Sequence, residues 1–147
     1  MKIFGYASLM SANGINEHDL PEKFHTDELT TAVLKDHKRS WNAFDGKYRY
    51  LGVTKQEGAR INGVLFSIKP GDLPKFNESE GVPTLYNLKD VTNYIEPRQS
   101  DKVFTLVTNS PTKKGNINEG YRRQVEDAAA SHGKEFSDEF YRTTPEN

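Results

Sequence analysis

Strand signals dominate the first two thirds of the chain. Apolar positions alternate with polar ones most clearly at Val64, Phe66 and Ile68, a period of two that turns one face of that segment inward. Runs rich in β-branched and aromatic residues predict strands at Lys2–Tyr6, Asp27–Leu34, Tyr48–Val53, Ile61–Ile68, Leu85–Ile95 and Lys102–Thr108. The last of these carries Val103, Phe104, Leu106 and Val107 on both faces, so it belongs at the centre of a sheet, covered on each side. Asp45-Gly46, Glu57-Gly58 and Pro70-Gly71 mark turns between the runs. They leave no room for long crossover helices, which predicts a largely antiparallel or mixed sheet.

Helical signals are fewer and come later. A short helix is expected to start near Asp72, which can cap it, and to end at Gly81, the residue type favoured just past a helix C-terminus. Between Asn118 and His132, the residues Tyr121, Val125, Ala128 and Ala129 recur at helical spacing and make an apolar stripe, with Gly133 as the stop. Phe136 and Phe140 continue as a terminal turn or helix, whereas Pro97–Ser100 and Ser110–Gly115 read as loops and Thr143–Asn147 as a frayed tail.

At 147 residues the chain has the length of one domain with a single core. A net charge of −1 and scattered basic residues, of which Lys113-Lys114 is the densest cluster, offer no stripe for neutralising phosphates; nucleic acid is not an expected partner. Cysteine is absent, which excludes disulfides, a thiolate nucleophile and Cys-based metal sites. No run is apolar enough for a signal-peptide core or a membrane span, so a soluble, cytoplasmic protein is expected. The pattern leaves open whether it is a monomer or a homodimer.

The search for chemistry eliminates several classes. His18, His25, His37 and His132 never fall at the i, i+4 spacing of a helical metal pair and are expected at the surface or in local hydrogen bonds. Ser8 and Ser40 lie outside any Gly-x-Ser-x-Gly elbow, and no Gly-rich phosphate loop is present. Trp41 either packs or lines the mouth of a cavity. Two stretches remain. Phe4-Gly-Tyr-Ala-Ser-Leu-Met10 reads as a strand entering a tight turn whose backbone can hold a small oxygen-rich ligand, and Phe76-Asn-Glu-Ser-Glu-Gly-Val-Pro-Thr-Leu-Tyr86 places Glu80 directly before a glycine.

As an ordered pair, these stretches resemble the gamma-glutamylcyclotransferase family with its AIG2-like and ChaC-like relatives. The resemblance extends over nearly the whole chain, through Gly63-Val-Leu-Phe66 to Asn118-Glu-Gly-Tyr121. It implies an α+β fold, a small mixed, mostly antiparallel β-barrel with flanking helices. It also implies a cofactor-free, metal-free enzyme that turns a gamma-glutamyl compound into 5-oxoproline and an amine. By the resemblance, the backbone of Tyr6, Ala7, Ser8 and Leu9 binds the glutamyl group, Glu80 is the catalytic acid and base, and Tyr86 and Tyr121 reach the substrate. Each position also has a plainer reading: an ordinary turn after a buried strand, a solvated acidic helix end with Glu78 as its neighbour, and tyrosines that pack. Ala7 stands where the family pattern has glycine, an unfavourable exchange of roughly 1 kcal/mol if that residue takes a positive φ. That departure is the feature favouring the alternative, a non-catalytic small-ligand or protein-binding module on the same fold. Motifs expected of glutathione-specific relatives are not found, so free glutathione is not the first substrate to expect.

Overall fold

The computed structural model describes residues 1–17, 20–21 and 23–145; His18 and the end of the expected tail, 146–147, lie outside the described residues. Its frame is one long antiparallel hairpin, β2 (Thr30–Phe44) and β3 (Tyr48–Ser67), closed at Asp45, whose Oδ1 accepts from the Lys47 and Tyr48 backbone N–H groups at 2.8 Å each. The far half of β3 pairs antiparallel with β1 (Lys2–Gly5), from Lys2 opposite Ser67 to Gly5 opposite Val64. The near half meets β6 (Val103–Thr108) in parallel at Val53 opposite Val107. Because β6 also runs parallel to β1 and antiparallel to β4 (Tyr86–Asp90), the sheet curls on itself into a half-barrel with the strand order β4-β6-β1-β3-β2-β5. Here β5 is Ile95–Glu96, and β7 (Asn116–Ile117) adds to β3.

Among the described residues, four α-helices flank this sheet: α1 (Ala12–Asn16), α2 (Leu73–Ser79), α3 (Glu119–Ala130) and α4 (Lys134–Arg142). Val125, Ala128 and Ala129 of α3 are buried as the apolar stripe requires, alongside Phe4, Leu51, Val53 and Val64 of the sheet. A second cluster, around Ile3, Phe66, Phe76 and Leu106, seats α2. The α+β architecture and the central place of β6 agree with the pattern of the sequence.

Four expectations differ for identifiable reasons. Asp27 and Glu28 form a 3₁₀ turn with His25 as its cap, and β2 begins only at Thr30 but runs ten positions past Leu34. The polar run that hid this extension holds the fully buried His37 and Arg39. Glu57-Gly58 does not end β3: between the pairs Lys35–Arg60 and His37–Lys55, residues 56–59 bulge opposite Asp36, which has φ 59° and accepts from the Gly58 N–H at 2.9 Å. The expected strand Leu85–Ile95 is interrupted by a 3₁₀ turn at Thr92–Tyr94, where Asp90 Oδ1 accepts from Thr92. Thr143 and Thr144, read as part of a frayed tail, are instead tied to Arg39 by hydrogen bonds of 2.9 and 2.7 Å.

Candidate active site

The turn after β1 is shaped by what touches it. Residues Ser8–Met10 form a single 3₁₀ turn, and Met10 N–H donates to the Ala7 carbonyl at 3.0 Å. Helix α1 follows at once, with Ser11 as its cap accepting from Gly14 N–H at 3.0 Å. A Cβ on Gly14 would lie 1.8 Å from the Ser8 carbonyl oxygen, so only glycine lets α1 press the turn into place. Ala7 has φ −138° and ψ −121°. No left-handed conformation is needed there, so the penalty tied to a positive φ does not arise. Among the described residues, no protein acceptor takes the backbone N–H groups of Ala7, Ser8 or Leu9. Three successive donors thus border the cavity, the arrangement that suits a carboxylate or an oxyanion.

Glu80 is placed by the way α2 ends. Val82 N–H donates to the Asn77 carbonyl at 2.9 Å and Gly81 N–H to the Glu78 carbonyl at 3.3 Å, the paired bonds of a Schellman cap. Gly81 takes φ +79°, the left-handed conformation that cap requires. Its carbonyl then accepts from Leu85 N–H at 2.7 Å and Tyr86 N–H at 3.2 Å, tying β4 to the helix end. The result is a half-buried Glu80 on the cavity wall, whereas Glu78 is exposed and outside it.

The cavity measures about 290 Å³, near the lower end of the range of roughly 300–1,000 Å³ usual for small-molecule sites. All seven residues singled out in the sequence, Tyr6, Ala7, Ser8, Leu9, Glu80, Tyr86 and Tyr121, line it. Asp45, Tyr50, Leu51, Ser79, Gly81, Leu85 and Leu106 complete the wall. Of these, Asp45 was legible only as a turn residue, and Tyr50 had no signal beyond its place in a strand. Burial pushes the Glu80 carboxyl up to about 7, with the Glu17 charge adding to the effect. Burial likewise raises Tyr6, Tyr86 and Tyr121 well above the ordinary phenol value. Tyr6 donates its hydroxyl proton to the Leu106 carbonyl and Tyr86 to that of Leu51, both at 2.7 Å, which leaves their phenolic oxygens as acceptors in the wall. Tyr121 opens α3 behind its cap Asn118, which accepts from Tyr121 N–H at 3.0 Å, and its ring sits edge-on to Tyr50 at 4.9 Å and Trp41 at 5.8 Å. Trp41 is buried and packs behind Tyr121 instead of lining the mouth. His37 hydrogen-bonds locally, to the Lys35 carbonyl, whereas the His132 ring meets the Met10 carbonyl 122 positions away; neither histidine lines the cavity.

A family model described as gamma-glutamyl cyclotransferase, AIG2-like, matches residues 3–124. The chain belongs to this family. Its fold recurs in solved structures at low identity: YkqA from Bacillus subtilis (20% identity, TM-score 0.75, 97% of this chain and 53% of that one) and a gamma-glutamyl cyclotransferase (16%, 0.73, 99% and 89%). The yeast gamma-glutamyl cyclotransferase specific to glutathione shares it too (12% identity, TM-score 0.58, 100% and 98% of the two chains). The chain spans about half the length of YkqA. No curated protein matches it. Among the described residues, no helix is long and apolar enough to cross a membrane.

Proposed function

We propose that the cavity cyclises a gamma-glutamyl compound to 5-oxoproline and releases the amine, with Glu80 moving the protons. The Glu80 carboxylate takes a proton from the α-ammonium; the freed nitrogen attacks the side-chain carbonyl carbon and closes a five-membered ring. The carbonyl electron pair shifts to oxygen, whose developing charge shares the donors of the Ala7–Leu9 turn with the substrate carboxylate. Collapse breaks the bond to the departing nitrogen. The two protons shed by the α-nitrogen end on that amine, and Glu80 finishes as the carboxylate it was.

Nucleophile and electrophile belong to one molecule, so positioning replaces much of the work of a covalent nucleophile. The phenolic oxygens of Tyr6 and Tyr86, acceptors in this wall, suit the ammonium end of the substrate. The observation that carries the reading is Glu80 on the wall shared with the unpartnered N–H groups, its carboxyl raised to about 7, where a group can both take and return a proton near neutral pH. The residues and the reaction are tested together by incubating the protein with gamma-glutamyl dipeptides, gamma-glutamyl amines and glutathione and measuring 5-oxoproline. At least one member of the panel should be turned over by the native protein and none by Glu80→Gln. Turnover by Glu80→Gln at the native rate refutes the assignment; a folded native protein inert toward the whole panel favours the non-catalytic reading.

A further inference from the structure

Arg39 is the largest fully buried side chain among the described residues, and none of its hydrogen bonds goes to a carboxylate, Glu139 acting on its charge only through space. All five of its N–H donors are used. Nε donates to Thr144 Oγ1 at 2.7 Å, one terminal nitrogen to the Tyr6 and Asn62 carbonyls at 3.0 and 2.8 Å, and the other to Asn62 Oδ1 and Thr143 Oγ1 at 2.8 and 2.9 Å. The Phe140 ring closes over the guanidinium at 4.4 Å. Every acceptor is neutral, so the positive charge is solvated but not cancelled. A buried ion kept in this way is unfavourable relative to an apolar side chain of similar size, which calls for a reason beyond packing.

One of the five bonds points to that reason. The Tyr6 carbonyl that accepts from Arg39 belongs to the same peptide group as the Ala7 N–H, the first of the three donors bordering the cavity. Drawing on the oxygen of a peptide polarises its N–H, and chains of hydrogen bonds strengthen one another in a low-dielectric interior. Among the described residues of the cavity wall only Asp45 and Glu80 carry charge, both negative. The wall itself therefore has no cation for the carboxylate that a gamma-glutamyl group carries. Arg39 acts on the wall, lowering the pKa of both Tyr6 and Tyr121 against the larger effect of burial.

We propose that Arg39 is a positioning residue of the ligand cradle: it fixes the Tyr6–Ala7 peptide and supplies, from behind it, the positive charge that lets the Ala7–Leu9 turn hold a carboxylate. This rests on the reading of the cavity as a gamma-glutamyl site, and it assigns the anion preference of that site to a side chain outside the wall. Thr143, Thr144 and Asn62 serve it by holding the guanidinium in place.

The test compares 5-oxoproline with 2-pyrrolidinone, the same lactam without its carboxylate, by calorimetric titration. The native protein should bind 5-oxoproline at least about tenfold more tightly, the scale of one charge-assisted hydrogen bond. Arg39→Gln should erase that preference. Asn62→Asp keeps an acceptor in front of Arg39 while pairing it with a carboxylate, so it should also reduce the preference and leave 2-pyrrolidinone affinity within about twofold. Equal affinities in the native protein overturn the proposal, as does an unchanged preference in either folded variant or an equal loss for both ligands, which would mark Arg39 as structural only. A native protein that binds neither ligand overturns this proposal together with the reading it rests on; loss of discrimination failing to appear in Asn62→Asp overturns this proposal alone.

Discussion

Replacing Glu80 by Gln should stabilise the protein at alkaline pH while removing its chemistry. The carboxyl has an ordinary value of 4.5 and a value in the fold of about 7. The folded state therefore holds its proton more tightly than the unfolded chain does. Stability from this group is greatest below about pH 4.5, declines as pH rises toward 7 and is flat beyond it. At 1.36 kcal/mol for each tenfold change in affinity, the ionised carboxylate destabilises the fold at pH 8 by at most about 3 kcal/mol, solvent reaching a half-buried side chain making this the upper value. Glutamine has nearly the same shape and no charge, so it escapes that penalty. Urea unfolding of both proteins at pH 4.5 and pH 8 should show nearly equal stabilities at the lower pH. At pH 8 the variant should be ahead by about 1–3 kcal/mol, or several degrees in Tm for a chain of this size. A Glu80→Gln protein whose stability tracks the native one across the whole interval would mean that the carboxylate is solvated, and the proton-transfer role would lose its physical basis.

Three further outcomes follow from the same geometry. If a raised Glu80 is the base, kcat/KM should climb about tenfold per pH unit below about 7 and level off above it; a flat profile between pH 5.5 and 8 removes Glu80 from the rate-determining proton transfer. Gly81→Ala forces a side chain into φ +79° with only an ordinary contact, to Leu85 Cβ at 3.5 Å, so it should reduce stability by about 1 kcal/mol through the backbone and reduce turnover further by tilting Glu80; unchanged stability by thermal unfolding contradicts the Schellman assignment. Tyr86→Phe leaves the Leu51 carbonyl without its 2.7 Å donor and should reduce stability by about 1 kcal/mol, measured in urea.

The pattern of residues disclosed the parts of this molecule that depend on local chemistry. Glycine after Glu80 announced the end of α2, and the stripe headed by Tyr121 announced α3; both follow from rules of helix geometry that act within a few residues. The second half of β2 stayed hidden because its polar residues satisfy one another through distant partners. Arg39 meets Thr143 and Thr144 more than a hundred positions away, and Lys89 meets His37 across β4. A polar run buried by long-range bonds is indistinguishable in sequence from a solvated one. The same blindness covered the chain end, where Thr143 and Thr144 look like a fraying tail and serve as acceptors for a buried cation. Within the site, the turn and the carboxylate were visible as motifs, whereas their convergence on one cavity depends on β6 pairing with β1, β3 and β4 at once, which no local pattern encodes. Whether Ala7 sits at a left-handed position could not be read from the residue type; the turn takes φ −138° there.

The most direct measurement is a crystal structure of the protein with 5-oxoproline in the cavity. The account predicts ligand oxygens on the N–H groups of the Ala7–Leu9 turn and the lactam nitrogen within hydrogen-bond reach of the Glu80 carboxyl. A lactam bound elsewhere, or seated in the cavity with Glu80 turned away from its nitrogen, would contradict it.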